Sequence, residues 1–353
     1  MISSSFISSA SITDETRRSM ARLQSQLVDA QKELSTGRHA DVGVTLGATT
    51  GVSVSMRQDM DQIQAIQNSN NLVLNRLTAS QDALSTISSS TSTFLSALIT
   101  GQTAGTSQDT LVQAATASMQ TLQDQLNASL DGQYLFAGIN SDVQPMDDYF
   151  GSPPSAGQQA VTNAFVVKFG ITPDDPAVAN ISPSDMQDFL DNEFANLFSG
   201  SNWSGTWSAA SDKPVSNRIS RTEVVNTSVT ANDSTFSNLT EALTMVAGLG
   251  LANMSSGTQQ VIIAKARELT ANVTGSLTQV QSALGVTQQR ISDSNDQIDT
   301  QVDFLTKSID NLEQIDPAAV TTQLSQISTA LQAAYSLTNQ LNNLSILNYL
   351  SNS

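Results

Sequence analysis

The sequence predicts a mainly α protein, in which the N- and C-terminal segments form a long antiparallel helical bundle or coiled-coil rod with a small α+β central insertion. Apolar residues recur in threes, fours and sevens along both ends of the 353-residue chain, the spacing of helices that pack on helices. Aromatic residues make up only 5% and charged residues 13%, which favours long helices over a compact enzyme core. Seven of the eight prolines and both tryptophans lie between residues 139 and 226, which marks a separate central segment.

The first helix is predicted over residues 12–34. Thr13 is its expected N-cap, and Gly37 is expected to end it. Four glycines between residues 37 and 51 then predict a looping or extended connection. The apolar stripe of this helix consists of Met20, Leu23, Leu27, Ala30 and Leu34.

A longer helix is predicted over residues 52–98, and a further helical stretch over residues 111–130 follows a break at Gly101 and Gly105. At about 1.5 Å per residue, the longer helix would extend for about 70 Å. Its stripe is formed by Met56, Met60, Ile63, Asn70, Leu74, Leu77, Leu84 and Ile87.

The central segment is predicted to mix strands with short helices. A turn at Asp131-Gly132 introduces a short aromatic strand over residues 133–138. Runs of β-branched and aromatic residues predict strands over residues 160–169 and 217–229. Ser182, followed by a proline, predicts a capped short helix.

The last third of the chain contains two more heptad-patterned helices. The first is predicted over residues 261–312. Asp316-Pro317 then supplies an N-cap acceptor and a first-turn proline, which start the second helix. The stripe of the second helix consists of Val320, Leu324, Ile327, Leu331, Ala334, Thr338 and Leu341, followed by Leu344, Leu347 and Leu350.

These patterns divide the chain into five segments. An N-terminal assembly helix is predicted over residues 1–36, paired with a C-terminal assembly helix over residues 317–353. Residues 37–140, ending in a β-hairpin, and residues 231–316 form the two halves of the helical rod. Residues 141–230 form the central insertion domain.

Composition and motifs argue against catalysis. His39 is the only histidine, so a Ser-His-Asp or Cys-His constellation would have to use it. The sequence contains no nucleophile elbow, phosphate-binding loop or zinc-protease motif. Four aspartates between residues 293 and 303 could be read as a cation site, but they spread over about three turns and are interpreted as a solvated face. We therefore predict no enzyme activity, no cofactor and no metal.

The formal net charge of −17 argues against nucleic acid, because phosphate binding requires clustered Lys and Arg and only 15 are present. Binding to an anionic membrane surface is disfavoured for the same reason. The absence of cysteine excludes disulfides and thiolate metal sites. The Ser-rich first ten residues lack a charged segment followed by an apolar one, so no cleaved secretory signal is expected.

Each heptad stripe needs an apolar partner, within the chain or on another molecule. The stripes of residues 52–130 and 261–312 are interpreted as the core of an intramolecular bundle. The stripes of residues 12–34 and 320–350 lie at the chain ends and are interpreted as surfaces for self-assembly or partner binding. The predicted assembly residues are Met20, Leu23, Leu27, Leu34, Val320, Leu324, Ile327, Leu331, Leu341, Leu344, Leu347 and Leu350.

Three stretches carry a family resemblance: residues 31–38 (QKELSTGR), residues 132–138 (GQYLFAG) and residues 344–350 (LSILNYL). They resemble the flagellin superfamily and, more narrowly, the hook-associated protein 3 family of hook–filament junction proteins. The resemblance covers roughly residues 1–140 and 230–353, and the centre does not contribute to it.

This resemblance implies a structural protein of the extracellular bacterial flagellum, exported by the flagellar type III apparatus and placed at the hook–filament junction, where motility depends on it. The implied partners are copies of itself, hook-associated protein 1, flagellin, and an export chaperone that binds the C-terminal helix. Chain ends in this family fold into coaxial helices on assembly, which agrees with heptad stripes that stay unpaired until polymerisation.

Two other functions remain open. The chain could be flagellin itself, the bulk filament subunit, which the same end helices would fit. Alternatively, Phe194, Trp203 and Trp207 could belong to a surface-exposed binding module on a helical stalk, although such aromatic residues usually fill the core of a small domain.

Overall fold

The computed structural model describes residues 9–101 and 107–350, without the side chains of residues 9, 10, 13 and 341–350. Most of these residues are helical, and they include two small antiparallel sheets of two strands each. The predicted fold class, mainly α with a strand-containing centre, is confirmed.

The element bounds are as follows. The helices are α1 (Ser9–Thr36), α2 (Val42–Leu46), α3 (Thr50–Gly101), α4 (Gln108–Leu126), α5 (Ala156–Phe169), α6 (Pro183–Phe189), α7 (Gly200–Thr206), α8 (Ser234–Ala247), α9 (Ser256–Glu313) and α10 (Pro317–Leu350). The strands are β1 (Ser129–Leu130), β2 (Gln133–Tyr134), β3 (Ser216–Arg218) and β4 (Val224–Asn226). A π-helical segment, Leu190–Phe194, follows α6 directly.

The described residues divide into two compact units. The end unit comprises those up to residue 62 and those from residue 299 onward, and the central unit comprises residues 63–298. Helices α3 and α9 contribute residues to both units.

Helices α1 and α10 pair in antiparallel fashion in the end unit. Gln24 Nε2 donates to Tyr335 Oη at 2.9 Å, and Ala30 packs in one cluster with Val320. Asp316 Oδ1 accepts from Ala318 N at 2.9 Å, so this aspartate caps α10 as its sequence predicts.

The central unit is built around α8. Residues 239–246 of α8 are all buried, as expected of a helix with neighbours on every side. Helix α4 packs on α8, and α3 runs antiparallel to α9, with Gln81 Nε2 donating to Gln281 O at 2.7 Å. The predicted intramolecular pairing of the long helices is therefore present within this unit.

The β3–β4 hairpin is anchored to the long helices by a buried polar contact. Ile219 O accepts from Asn70 Nδ2 at 2.9 Å and from Ser294 Oγ at 2.6 Å. Asn70 is the polar member of the predicted α3 stripe and is 0% exposed. This contact gives the buried amide nitrogen of Asn70 a hydrogen-bond partner, as buried polar groups require.

The strand predicted over residues 160–169 is wrong, because these residues belong to α5. Ser155 Oγ accepts from Gln158 N as an N-cap, and Gly170 ends the helix in the left-handed region at φ 75°. The buried residues of α5 are spaced by four, and this packing outweighs the β propensity of its valines and phenylalanines.

Four smaller predictions also need correction. The strand predicted over residues 217–229 is a hairpin of two short strands, and the one predicted over residues 133–138 is limited to Gln133–Tyr134. Thr13 is not an N-cap, because α1 already begins at Ser9. The connection between α1 and α3 is not extended, because it contains α2.

Candidate functional site

The predicted assembly residues that have described side chains lie together on a seam between α1 and α10. Val320, Ile327 and Leu331 are buried there. Their partly buried neighbours on the seam are Met20, Leu23, Leu27, Leu34 and Leu324. Within one chain these side chains therefore cover much of one another's apolar surface.

The other predicted assembly residues lie farther along α10. The helix extends to Leu350. Leu341, Leu344, Leu347 and Leu350 fall in the stretch whose side chains lie outside the described residues.

An apolar groove of about 670 Å³ opens between α1 and α10 beside the seam. Ile12 and Leu23 line it from α1, and the small side chains of α10 leave the space between the helices unfilled. The exposed fraction of the apolar side chains of α10 rises from 7% at Leu331 to 55% at Leu337, and Leu337 also lines the groove. Contiguous exposed apolar surface of this kind is typical of interaction sites on soluble proteins.

Several exposed apolar residues of the end unit were not predicted, because they lie off the heptad stripes. Phe304 is 68% exposed, Val28 60% and Tyr335 50%. Phe304 directly precedes Leu305, one of the apolar residues in the helix predicted over residues 261–312, whose stripe is interpreted as core. A search for large apolar residues adjacent to a stripe would have found them.

A buried carboxylate, Glu313, joins three segments of the end unit. Arg57 of α3 donates from Nε to Glu313 Oε1 at 3.2 Å and from Nη2 to Oε2. Ser53 Oγ also donates to Oε1, and Arg38 Nη1 lies 3.7 Å from Oε2. We call Glu313 with Ser53, Arg57 and Arg38 the Glu313 joint.

The electrostatics of the joint favour an ionised Glu313. Burial of its side chain, which is 3% exposed, raises the pKa, but the hydrogen bonds from Arg57 and Ser53 and the arginine charges outweigh burial. The net result is a pKa below the ordinary 4.5. A bidentate Arg–carboxylate pair is a strong and geometrically specific contact.

Backbone hydrogen bonds also connect the segments that meet at the Glu313 joint. His39 N donates to Glu313 O and Ile315 N donates to Gly37 O, each at 3.1 Å. His39 Nδ1 lies 3.5 Å from Glu33 Oε1, so the single histidine belongs to this connection. Among the residues that the structure describes, no group of three or more His, Cys, Asp or Glu is placed to hold a metal ion.

The aromatic residues of the centre are interior. Phe194 is 0% exposed, Trp203 2% and Trp207 6%. The ring of Trp207 stacks with that of Trp203 at a centroid distance of 6.0 Å. These side chains belong to the packed hydrophobic core of the central unit.

The matched family regions cover the two helical ends of the chain, from α1 to the β1–β2 hairpin and from within α9 to α10. Residues 7–141 match the bacterial flagellin N-terminal helical region, and residues 268–350 match the bacterial flagellin C-terminal helical region. The two matches together cover more than half of the chain. This chain belongs to the flagellin superfamily. No curated protein matches it.

Flagellin-family proteins are structural: they are exported and self-assemble into the helical polymer of the extracellular flagellum. The chain is accordingly a structural component of the bacterial flagellum. Across residues 9–101 and 107–350, no helix combines the length and the apolar character needed to cross a membrane. The α1–α10 pair, with its groove and the Glu313 joint, lies in the part of the chain that the family shares.

Proposed function

We propose that this member of the flagellin superfamily is the hook–filament junction protein, an adaptor between hook-associated protein 1 and flagellin. The observation that carries the proposal is the α1–α10 pair, which covers its own seam but leaves an apolar groove open. The GQYLFAG and LSILNYL stretches, which resemble the hook-associated protein 3 family, support the junction assignment over other flagellar roles.

The proposed assembly uses two kinds of apolar surface in the end unit. The groove between α1 and α10 receives side chains from a neighbouring subunit, and exposed residues such as Phe304 pack against neighbours. Contacts between different surfaces of identical subunits propagate a helical array. The export chaperone, which the resemblance implies, would cover α10 before assembly.

Flagellin itself is the second candidate, because both family matches fit a bulk filament subunit equally well. Copy number separates the two functions. Quantitative mass spectrometry of purified filaments should find a few copies per filament, and immunogold should label only the filament base. Thousands of copies along the filament would instead identify the chain as flagellin.

Deletion of the gene tests the proposed junction role directly. We expect a gene deletion to leave hooks intact, with unattached flagellin secreted into the medium, as seen by electron microscopy and immunoblotting. Complementation with the full-length gene should restore attached filaments. Normal attached filaments in the deletion strain would rule out the junction role.

Replacing Phe304 or Leu337 by serine is expected to impair assembly without unfolding the monomer. Both side chains are more than half exposed, so the free energy of unfolding should change by about 0.5 kcal/mol or less. An apolar contact buried on assembly is worth about 1–3 kcal/mol per subunit, so its loss lowers the association constant by roughly 5- to 150-fold. Sedimentation velocity and filament attachment in complemented cells measure the two effects.

The matched control is Gln332→Ala, an exposed polar position on α10. It should leave both assembly and stability unchanged. Equal assembly of all three variants would exclude Phe304 and Leu337 from the proposed contacts.

A further inference from the structure

A cavity of about 320 Å³ lies in the central unit. Its walls come from α3, from the β1–β2 hairpin with the segment that follows it, and from the β3–β4 hairpin with the residues that flank it. The volume is within the range of about 300–1,000 Å³ that small-molecule sites occupy. All the lining residues belong to one compact unit, so the cavity is independent of the α1–α10 groove on which the proposed assembly depends.

The cavity has a cationic wall in an acidic protein. The chain contains 32 acidic and only 15 basic residues. Arg76 of α3 lines the cavity, whereas no Asp or Glu among the described residues does so. A cavity with a positive charge and no negative one favours an anionic ligand.

The guanidinium group of Arg76 keeps donors that a ligand can use. Nη1 donates to Gln133 Oε1 at 3.0 Å, and Nη2 donates to Tyr134 O at 3.4 Å. An arginine has five N–H donors, so three remain. Within the described part of the chain no carboxylate pairs with Arg76, which is partly buried, whereas Arg290 Nε donates to Glu223 Oε1 at 3.1 Å. A carboxylate is the acceptor that best matches these donors.

Two neutral side chains of the lining add further donors. Ser228 Oγ accepts from Val215 N at 2.8 Å, which leaves the serine hydroxyl proton available. Asn217 Oδ1 accepts from Thr227 Oγ1, which leaves the Nδ2 group of Asn217 available. The polar part of the cavity can therefore donate several hydrogen bonds to one anion.

The remaining lining is apolar. We define the apolar wall as Val73, Leu135, Ile139 and Val215, all of which line the cavity. Val73 and Leu135 belong to the hydrophobic core of the central unit, with exposed fractions of 6% and 4%, whereas Ile139 is 57% exposed. A ligand with an apolar body would remove this wall from water, which an inorganic anion cannot do.

We propose that this cavity binds a small monocarboxylic acid with an apolar body. The carboxylate pairs with Arg76 and accepts from Ser228 and Asn217, while the body lies against the apolar wall. One guanidinium group matches one negative charge, so a monoanion fits better than phosphate. Paired N–H···O bonds from an arginine also fix the orientation of a carboxylate.

The test compares benzoate with benzamide, which share a ring and differ in charge. Isothermal titration calorimetry of the full-length monomer measures both, with inorganic phosphate as a third probe. We expect saturable binding of one benzoate per chain. Benzamide and phosphate should each bind at least about tenfold more weakly, because a hydrogen bond to a charged group is worth about 1.5 kcal/mol or more.

Two variants separate the charged contact from the apolar one. Arg76→Gln should lower the affinity for benzoate at least about tenfold and leave the affinity for benzamide unchanged. Ile139→Ala should weaken both ligands by a similar factor, because it removes part of the apolar wall. Circular dichroism verifies that each variant is folded.

The matched control is Arg17→Gln, which removes an exposed arginine from the end unit and should bind benzoate as the unmodified protein does. The site is overturned if benzoate does not bind at millimolar concentrations, or if benzamide or phosphate binds as tightly. It is also overturned if a folded Arg76→Gln retains full affinity for benzoate. The comparison of the three probes needs no variant, so it remains decisive should Arg76→Gln fail to fold.

Discussion

Replacing Glu313 by alanine is expected to destabilise the end unit by about 2–4 kcal/mol. Removing one member of a buried ion pair costs about 3–5 kcal/mol, because the remaining charge loses its partner. The expected loss of about 2–4 kcal/mol is smaller than that range, because Arg57 is 38% exposed and water partly solvates its unpaired charge. Ser53 also loses its acceptor, and the contact between the start of α3 and the end of α9 is weakened.

Hydrogen exchange measured by mass spectrometry can localise this effect. Exchange should accelerate in peptides from the end unit, whereas the tryptophan emission of the central unit should stay the same. Asp310→Asn is the matched control, since Asp310 is 46% exposed and lies 3.7 Å from Arg38. Unchanged exchange in Glu313→Ala would show that the joint contributes little to the end unit.

The Glu313 joint also makes the folding stability of the end unit depend on pH in the acid range. Because the pKa of Glu313 is lowered on folding, its ionised form stabilises the folded state above the ordinary value of 4.5. That contribution is lost as the pH falls from about 4.5 through the lower folded pKa. In Glu313→Gln, the free energy of unfolding of the end unit should therefore vary less with pH below about 4.5. It should also be lower at neutral pH than in the unmodified protein.

Replacing Gly138 by alanine is expected to destabilise the central unit by about 3 kcal/mol or more. Gly138 has φ +63°, where a side chain costs about 1–2 kcal/mol. An added Cβ would lie 2.5 Å from Lys213 O and 2.8 Å from Ser211 O, so the backbone must shift. The hydrogen bond from Ile139 N to Lys213 O, at 3.1 Å, would be strained by that shift.

Gly132→Ala separates the two causes. Gly132 has φ +77° but nothing within 4 Å of the added carbon, so only the conformational cost of about 1–2 kcal/mol applies. Urea denaturation followed by tryptophan fluorescence measures both variants. Equal losses for Gly132→Ala and Gly138→Ala would contradict the role assigned to the close backbone contact, which explains why the GQYLFAG stretch ends in glycine.

Long helices were predictable because their periodicity repeats over many turns, although the N-cap predicted for α1 at Thr13 was wrong. Helix α9 was predicted over 261–312 and extends over Ser256–Glu313, and the start of α10 followed from Asp316-Pro317. Short elements offer less repetition. In α5, local β propensity predicted a strand, whereas the packing that makes it a helix depends on residues distant in sequence.

The candidate site was predictable only in part, because periodicity identifies an apolar stripe without identifying what covers it. The seam residues were found, but the structure shows that many of them cover one another. The Glu313 joint was missed altogether. Its members Ser53 and Glu313 are 260 positions apart, and no local pattern reports such a contact.

The pairing of α1 with α10 also determines when the end unit can fold. Gln24 and Tyr335 are 311 positions apart, so their contact cannot form until nearly the whole chain is available to fold. Closing a loop of that length costs about 5 kcal/mol in conformational entropy, which the contacts between α1 and α10 must offset. Contacts this distant in sequence slow folding. Because proteins of this family are exported, the end unit cannot pair α1 with α10 until nearly all of the chain has left the cell.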